Sequence, residues 1–121
     1  MKDNVIKPIC ITDGETGEKY TLEFNRESVL FAERNGFNID DIDIHPMTRI
    51  PELFFYAFRM HHKFIKREKT DEILFDKEKG LGGMPEGMLN RLGELYAAPF
   101  NAFKRDEEDT EGKNSRMTVE M

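Results

Sequence analysis

The stretch around which this chain is organised runs from Thr48 to Lys66 and reads TRIPELFFYAFRMHHKFIK. Its apolar residues recur at intervals of three and four, which places them on one face of an α-helix. Thr48 is a suitable N-cap, and Pro51 is tolerated in a first turn, where its missing amide would have no helical partner. A core helix over about residues 49–66 is therefore predicted. Its expected buried stripe is Ile50, Leu53, Phe54, Ala57, Phe58, His61, Phe64 and Ile65.

Two short alternating segments precede this helix. Residues 7–13 carry isoleucines at alternate positions, and residues 20–24 repeat the two-residue period with Tyr, Leu and Phe. Between them, residues 13–17 include two glycines, which suit a tight reversal. These patterns predict a β-hairpin over residues 7–24. Because a two-stranded hairpin alone is marginal in water, helices should cover its apolar face.

Capping residues and glycines predict three further helices. Asn25 can cap the start of the first helix and Gly36 can end it, with Phe37 folding back onto the helix end. Thr70 and Asp71 can begin another helix. With the central helix, the predicted set is about 26–35, 49–66, 71–79 and 86–98. The glycine-rich segment 80–85 is expected to be a flexible loop, and Pro99 to end or kink the last helix.

The predicted fold is α+β and mostly α, with an N-terminal hairpin packed against a small helical bundle. A chain of 121 residues suits one domain, which we place at residues 1–103. From Lys104 onward the sequence is acidic and polar and offers almost nothing to bury, so residues 104–121 are predicted to form a disordered tail.

Charge and composition narrow the classes of function. With 24 acidic against 18 basic residues, the net charge of −6 argues against a nucleic-acid partner, which needs a clustered basic face. No segment approaches the roughly 20 apolar residues that span a bilayer, and the N-terminus does not resemble a signal peptide. We therefore expect a soluble cytoplasmic protein without a membrane partner. The single cysteine, Cys10, is expected to be buried.

No motif for catalysis, a cofactor or a metal is found. His61 and His62 are adjacent on the predicted helix, so their side chains diverge, and neither they nor His45 and Cys10 show a metal-ligand spacing. The glycine cluster lacks the Lys-Ser/Thr pair of a phosphate-binding loop. No nucleophile motif is present. The sequence thus predicts no cofactor, no metal and no enzyme activity.

Two charged groups have simple structural interpretations. The pair Asp40 and Asp41 is expected to be solvated. The basic run Lys63, Lys66, Arg67 and Lys69 should complement the negative end of the central helix dipole, with a ligand-binding patch as the alternative.

The order of these elements resembles the tail assembly chaperones of long-tailed bacteriophages. The resemblance covers about residues 5–78: a hairpin containing Asp-Gly-Glu, the Phe31-Ala32-Glu33 helix, and an aromatic helix with Leu53-Phe54-Phe55-Tyr56-Ala57, followed by histidine and then Thr70-Asp71-Glu72. These motifs reflect side-chain contacts in a core and contain no catalytic residues.

The resemblance implies a non-virion protein in the cytoplasm of the bacterial host. It would coat the phage tape-measure protein and help recruit tail-tube subunits around it. We expect the protein to act as a homo-oligomer. A chaperone for a long apolar helical client needs exposed apolar surface. The predicted partner-binding residues are Phe55, Tyr56, Met60, Met84, Met88 and Leu89.

Three alternatives stay open at this point. Phe55 and Tyr56 could instead pack under the C-terminal helix. The protein could be a structural component of the virion, such as a head–tail connector or a tail-completion protein. It could also be a small enzyme or metal-dependent regulator that uses His45, His61 or His62.

Overall fold

The computed structural model of the protein describes residues 6–102 and 116–121. Over these residues, an antiparallel hairpin is followed by four α-helices and one short 3-10 turn. This confirms the predicted α+β fold. The elements are β1 (Ile9–Thr12), β2 (Lys19–Leu22), α1 (Arg26–Arg34), the 3-10 turn (Ile39–Asp41), α2 (Pro46–Ala57), α3 (Arg67–Phe75) and α4 (Met88–Asn101).

The hairpin closes through a side-chain-capped turn. β1 pairs with β2 with Ile9 opposite Leu22. The Asp13 carboxylate accepts hydrogen bonds from the backbone amides two and three residues further on, at 2.8 and 3.2 Å. These bonds lower the pKa of Asp13. Gly17 completes the reversal with φ +78°, a conformation that favours glycine.

Cys10 is exposed, so the expectation of a buried cysteine is wrong. Alternate residues of a strand point to opposite faces, and the half-buried Ile9 and Ile11 occupy the face of β1 toward the core. Cys10 and Thr12 therefore point away from it.

Both ends of α1 are capped as predicted. Asn25 and Ser28 form a reciprocal capping box, in which each side chain accepts the other residue's backbone amide at 2.8 and 2.9 Å. At the other end, Gly36 adopts φ +91° and the Phe37 amide donates to the Ala32 carbonyl at 3.0 Å. This is a Schellman arrangement, and it turns Phe37 back into the core.

The central helix α2 occupies a different span from the predicted one. It begins at Pro46 without a side-chain cap and ends at Ala57, so the predictions of a Thr48 cap and of a helix reaching about residue 66 are wrong. The Ala57 carbonyl accepts the backbone amide of Glu23 in the hairpin at 2.9 Å. In a longer helix that carbonyl would accept the amide of His61, which instead bonds to the Phe58 carbonyl.

This shift changes the predicted stripe. Pro51 lies in the helix interior and not in the first turn. His61 and Phe64 are exposed because they follow the end of the helix. The central part of the stripe is buried as expected, at Leu53, Phe54, Ala57 and Phe58.

The third helix also begins earlier than predicted. α3 starts at Arg67 and ends at Phe75, in place of the expected 71–79. Thr70 is therefore not an N-cap: it is fully buried within the helix, and its hydroxyl donates to the Arg67 carbonyl at 3.0 Å.

The glycine-rich segment after α3 is hydrogen-bonded to that helix, and Gly80 packs closely against it. The predicted flexibility of the segment stays a prediction. The Leu81 amide donates to the Ile73 carbonyl and the Gly83 amide to the Leu74 carbonyl, each at 2.7 Å. A Cβ at Gly80 would overlap the backbone oxygen of Ile73. The segment thus satisfies carbonyls that α3 leaves without helical partners.

The last helix runs through its proline. α4 begins after Gly87, which has φ +86°, and continues past Pro99 to Asn101. Of the two predicted effects of Pro99, an end of the helix is wrong, and a kink stays a prediction. Pro99 falls in the last turn, where its missing amide removes only one hydrogen bond near the helix end.

Asp41, which was predicted to be solvated, forms an ion pair with Arg49. Asp41 accepts a hydrogen bond from Arg49 Nε at 2.7 Å and lies 3.0 Å from His45 Nδ1, while Arg49 also bonds to Glu52 at 2.7 Å. The Arg49 hydrogen bond holds the pKa of Asp41 below its usual value. The expectation for Asp41 is therefore wrong, although Asp40 is exposed as predicted.

The core lies where the hairpin meets the helices and is rich in aromatic contacts. Tyr20 of β2 contacts Phe58 edge-to-face, and Phe24 contacts Tyr96 of α4 in the same way. Burial raises the pKa of Tyr96 to about 12. The buried core residues are Tyr20, Leu22, Phe24, Val29, Ala32, Phe37, Leu53, Phe54, Tyr56, Ala57, Phe58, Ile73, Leu74, Leu92, Leu95 and Tyr96.

Most of the predicted tail, residues 104–115, lies outside the described residues. Residues 116–121 are described, and they are exposed without helix or strand. Disorder over 104–121 stays a prediction.

Candidate partner-binding surface

The connection between α2 and α3, residues 58–66, lies along the edge of β2 that does not pair with β1. His62 Nε2 accepts the Thr21 backbone amide at 2.9 Å, beside the bond from Glu23 to Ala57. His61 Nε2 lies 2.8 Å from the Glu23 carboxylate. The connection thus occupies the backbone edge of β2 and is held against the hairpin.

The environment of His62 favours its neutral form. Its ring contacts Tyr20 and Phe58 edge-to-face, with centroids 5.4 and 6.0 Å away. Burial lowers the pKa of His62, and the neighbouring His61 lowers it further. A neutral imidazole has the free lone pair that the Thr21 amide requires.

Beside this connection, a surface that we call the aromatic–basic cleft lies against α1. It consists of two adjoining cavities of about 120 and 360 Å³ that share Phe31, Arg59 and Lys63 as lining residues. The smaller is lined by Phe31, Phe55, Tyr56, Arg59, His62, Lys63, Phe64 and Ile65. The larger is lined by Asn25, Glu27, Ser28, Leu30, Phe31, Arg34, Arg59, Met60 and Lys63.

Arg59 is placed at the centre of this cleft by an aromatic contact. Its guanidinium carbon lies 3.7 Å from the centroid of the Phe31 ring, which is a cation–π geometry. One guanidinium nitrogen also reaches the Lys63 carbonyl at 3.4 Å. Over the described part of the chain, Arg34, Arg59 and Lys63 form no ion pair.

Three of the six predicted partner-binding residues line the cleft. Met60 is 37% exposed and Phe55 is half-buried, whereas Tyr56 is only 9% exposed. Tyr56 contacts Phe31 and Phe37, and burial raises the pKa of its hydroxyl. Its prediction as an exposed contact residue is therefore corrected: it supports the floor of the cleft.

The other three predicted residues lie elsewhere. Met84, Met88 and Leu89 are half-buried and pack against the core, and neither cavity of the cleft includes them. The structure therefore does not bring the six residues together on one surface.

The basic run does not have the role that the sequence suggested. Because α2 ends at Ala57, Lys66 is the N-cap of α3, and Arg67 and Lys69 lie in its first turn, at the positive end of the dipole. Arg67 pairs with Asp71 at 2.8 Å and Lys69 with Glu72 at 3.4 Å. Only Lys63 of the run lines the cleft.

The cleft includes residues that the sequence analysis did not select. These are Phe31, Arg34, Arg59 and Phe64, of which Phe64 is 86% exposed; Lys63 was selected only as part of the basic run. Phe64 and Lys63 were assigned to the helix that was predicted to reach residue 66. Residues 58–66 contain no glycine or proline that would mark the true end of the helix, so the sequence offers no signal for this surface.

The linings of two further cavities do not indicate a particular ligand. A cavity of about 450 Å³ between the hairpin turn and α3 combines Asp13, Glu15, Glu72 and Glu78 with Lys69 and Lys79. A groove of about 280 Å³ between α1 and α4 is mainly apolar and is lined by Arg26, Val29, Leu30, Glu33, Pro99 and Phe100.

The described residues contain no group of three or more His, Cys, Asp and Glu side chains that could hold a metal ion. His45 contacts Asp41, whereas His61 and His62 contact the hairpin. The described residues therefore do not bring these histidines and Cys10 together as a metal site. Likewise, no helix of the described residues is both long and apolar enough to span a membrane.

These features define a class of small α+β proteins in which a two-stranded hairpin packs on a helical core and an aromatic surface stays open beside it. The chain belongs to the DUF5055 family, described as a domain of unknown function, whose model matches residues 1–121. No curated protein and no solved structure matches the chain.

Proposed function

We propose that this protein is a tail assembly chaperone of a long-tailed bacteriophage, which binds the tape-measure protein and helps recruit tail-tube subunits without catalysis. The sequence resemblance over about residues 5–78 supports the proposal. In this proposal the protein acts as a homo-oligomer in the cytoplasm of the bacterial host and is absent from the mature virion.

The observation that carries the proposal is the amount of large apolar surface outside the core. Phe64 is 86% exposed, Phe75 54% and Phe100 50%, whereas the aromatic residues of the core are at most 9% exposed. Aromatic residues are enriched in protein interfaces relative to the rest of the protein surface. A chaperone that keeps a long apolar helix in solution uses this kind of surface.

Co-expression with the tape-measure protein of the same phage or prophage tests this function. We expect the client to stay in solution and to co-purify with the chain, whereas the client expressed alone precipitates. If the client precipitates and the chain elutes alone, the proposed function is overturned.

A second measurement separates the chaperone from a structural component of the virion. Purified phage particles should lack the chain, because an assembly chaperone leaves before maturation. Its retention in particles would favour a connector or tail-completion protein.

A further inference from the structure

The aromatic–basic cleft differs in charge from the protein as a whole. The chain has a net charge of −6, yet the cleft is lined by Arg34, Arg59 and Lys63 and by one carboxylate, Glu27. A local positive region on an acidic protein attracts a partner segment that carries carboxylates.

The three cations of the cleft are available to such a partner. Elsewhere in the described residues, Arg49, Arg67 and Lys69 pair with carboxylates of the chain itself. Arg34, Arg59 and Lys63 do not. The guanidinium of Arg59 is stacked on Phe31, which orients its planar donors before a carboxylate arrives.

Apolar side chains adjoin these cations. Phe31, Phe55 and Ile65 are half-buried, while Met60 and Phe64 are exposed by 37% and 86%. An aromatic anchor beside arginine is a common centre of binding energy in interfaces. The cleft therefore suits a segment with an apolar stripe and flanking negative charges.

The backbone of the site favours a helical partner over an extended one. An extended peptide binds by adding a strand to a free sheet edge. The outer edge of β2 is already occupied by the Ala57 carbonyl and by His62. A helix satisfies its own backbone and needs only side-chain contacts.

We propose that the aromatic–basic cleft binds an amphipathic helix that carries an apolar stripe flanked by glutamate or aspartate. Its apolar residues contact Phe64, Met60 and Phe55, and its carboxylates pair with Arg59, Arg34 and Lys63. The assignment of that helix to the tape-measure protein rests on the proposed function; the chemistry of recognition does not.

Two designed peptides test this chemistry with the full chain. Both are helices of about 18 residues, or five turns, with the same Leu/Phe stripe, flanked by glutamate in one and by lysine in the other. We expect fluorescence anisotropy to show the glutamate peptide binding about tenfold more tightly, a preference that weakens in high salt. The overall charge of −6 favours the lysine peptide, so the expected order is specific to the cleft.

Charge-reversal variants locate the site. The double variant Arg34→Glu/Lys63→Glu should abolish the preference for the glutamate peptide. Its matched control, Lys19→Glu/Lys77→Glu, changes the net charge equally at exposed positions outside the cleft and should retain the preference. Thermal midpoints of both doubles should stay close to wild type, because all four side chains are exposed.

Two phenylalanine variants test the apolar contacts of the cleft. Phe64→Ser should weaken binding of the glutamate peptide about tenfold, whereas Phe75→Ser, which removes an exposed ring outside the cleft, should leave it unchanged. Equal binding of the two peptides, binding of neither, or equal effects of cleft and control variants would overturn the inference.

The same variants distinguish this inference from the proposed function. If wild type holds the tape-measure protein in solution and the cleft variants do so equally well, the cleft is wrong and the chaperone function stands. If wild type fails to hold that client but prefers the glutamate peptide through the cleft, the function is wrong and the recognition chemistry stands.

Discussion

At the scale of single residues, His62 joins the hairpin to the segment that follows α2. Its Nε2 accepts the Thr21 amide at 2.9 Å, and its ring contacts both Tyr20 and Phe58 edge-to-face. A protonated imidazole has no lone pair for that amide and is poorly solvated among aromatic rings. His62 is therefore the described histidine whose charge state most directly affects the fold.

This environment makes stability depend on pH. Burial lowers the pKa of His62 below 6.5, with His61 acting in the same direction and Glu18 against it. The unfolded chain then binds the proton more tightly, so stability is full above about pH 6.5 and falls as the pH drops through the folded-state pKa. We expect the thermal midpoint to decrease between about pH 7.5 and pH 5.

The variant His62→Gln should flatten this decrease, since it removes the titrating group. His45→Gln removes a histidine that contacts Asp41 and not the hairpin, so it serves as the control and should leave the decrease in place. A profile that is unchanged by His62→Gln would contradict the assignment.

At the scale of elements, helix ends decide much of this structure. α1 ends on a local signal, because Gly36 supplies the positive φ of its Schellman motif. α3 ends differently: the chain from Gly80 to Gly83 returns to bond the carbonyls of Ile73 and Leu74. That return requires close approach of two backbones, which only glycine permits.

Gly80→Ala should therefore be strongly destabilising. Its Cβ would overlap the Ile73 carbonyl oxygen, and we expect the free energy of unfolding to fall by about 3 kcal/mol. Chemical denaturation followed by circular dichroism measures this loss.

Gly93→Ala is the matched control within α4. Apart from adjacent residues and the backbone of α4 itself, no atom lies within 4 Å of the new Cβ, so a gain of about 0.5–1 kcal/mol is expected from the higher helix propensity of alanine. Similar effects of the two substitutions would contradict the close approach at Gly80.

Removing the capping box of α1 should lower the free energy of unfolding by less than Gly80→Ala does. Asn25→Ala removes the acceptor of the Ser28 amide at 2.8 Å, and we expect a loss of about 1 kcal/mol in the free energy of unfolding. Asn25→Asp keeps that acceptor and should retain most of the stability. Equal losses in the two variants would show that the cap contributes little.

At the scale of the whole molecule, the hairpin and the helices share one core. Leu22 of β2 is fully buried, Tyr20 contacts Phe58, and Phe24 contacts Tyr96 of α4. Glu23 and Thr21 donate their amides to the end of α2 and to His62. The two strands thus depend on the helices for both apolar contacts and backbone hydrogen bonds.

Leu22→Ala should consequently destabilise the helices together with the hairpin. We expect a loss of about 3 kcal/mol and a single transition, with coincident far- and near-ultraviolet circular dichroism. Thr12→Ala, on the exposed face of β1, should change little. Separate melting of strand and helix signals would contradict a shared core.

The sequence by itself determined the elements whose signals are local. Asn25 and Gly36 set the bounds of α1 through capping, and the glycines of residues 13–17 with the alternation around them set the hairpin. Period and hydrophobicity also selected Leu53, Phe54 and Ala57 as core. Each of these depends on residues a few positions apart, which a sequence pattern records.

Only the tertiary structure decided where α2 ends and what that end exposes. The Ala57 carbonyl bonds to Glu23 and His62 bonds to Thr21, and each pair is more than thirty residues apart in sequence, so no local pattern reports either contact. Because the chain leaves the helix there, Phe64 and Lys63 reach the surface beside Phe31 instead of continuing a buried stripe. The aromatic–basic cleft is a product of that long-range hydrogen bonding, which competes with the helix for the same carbonyl.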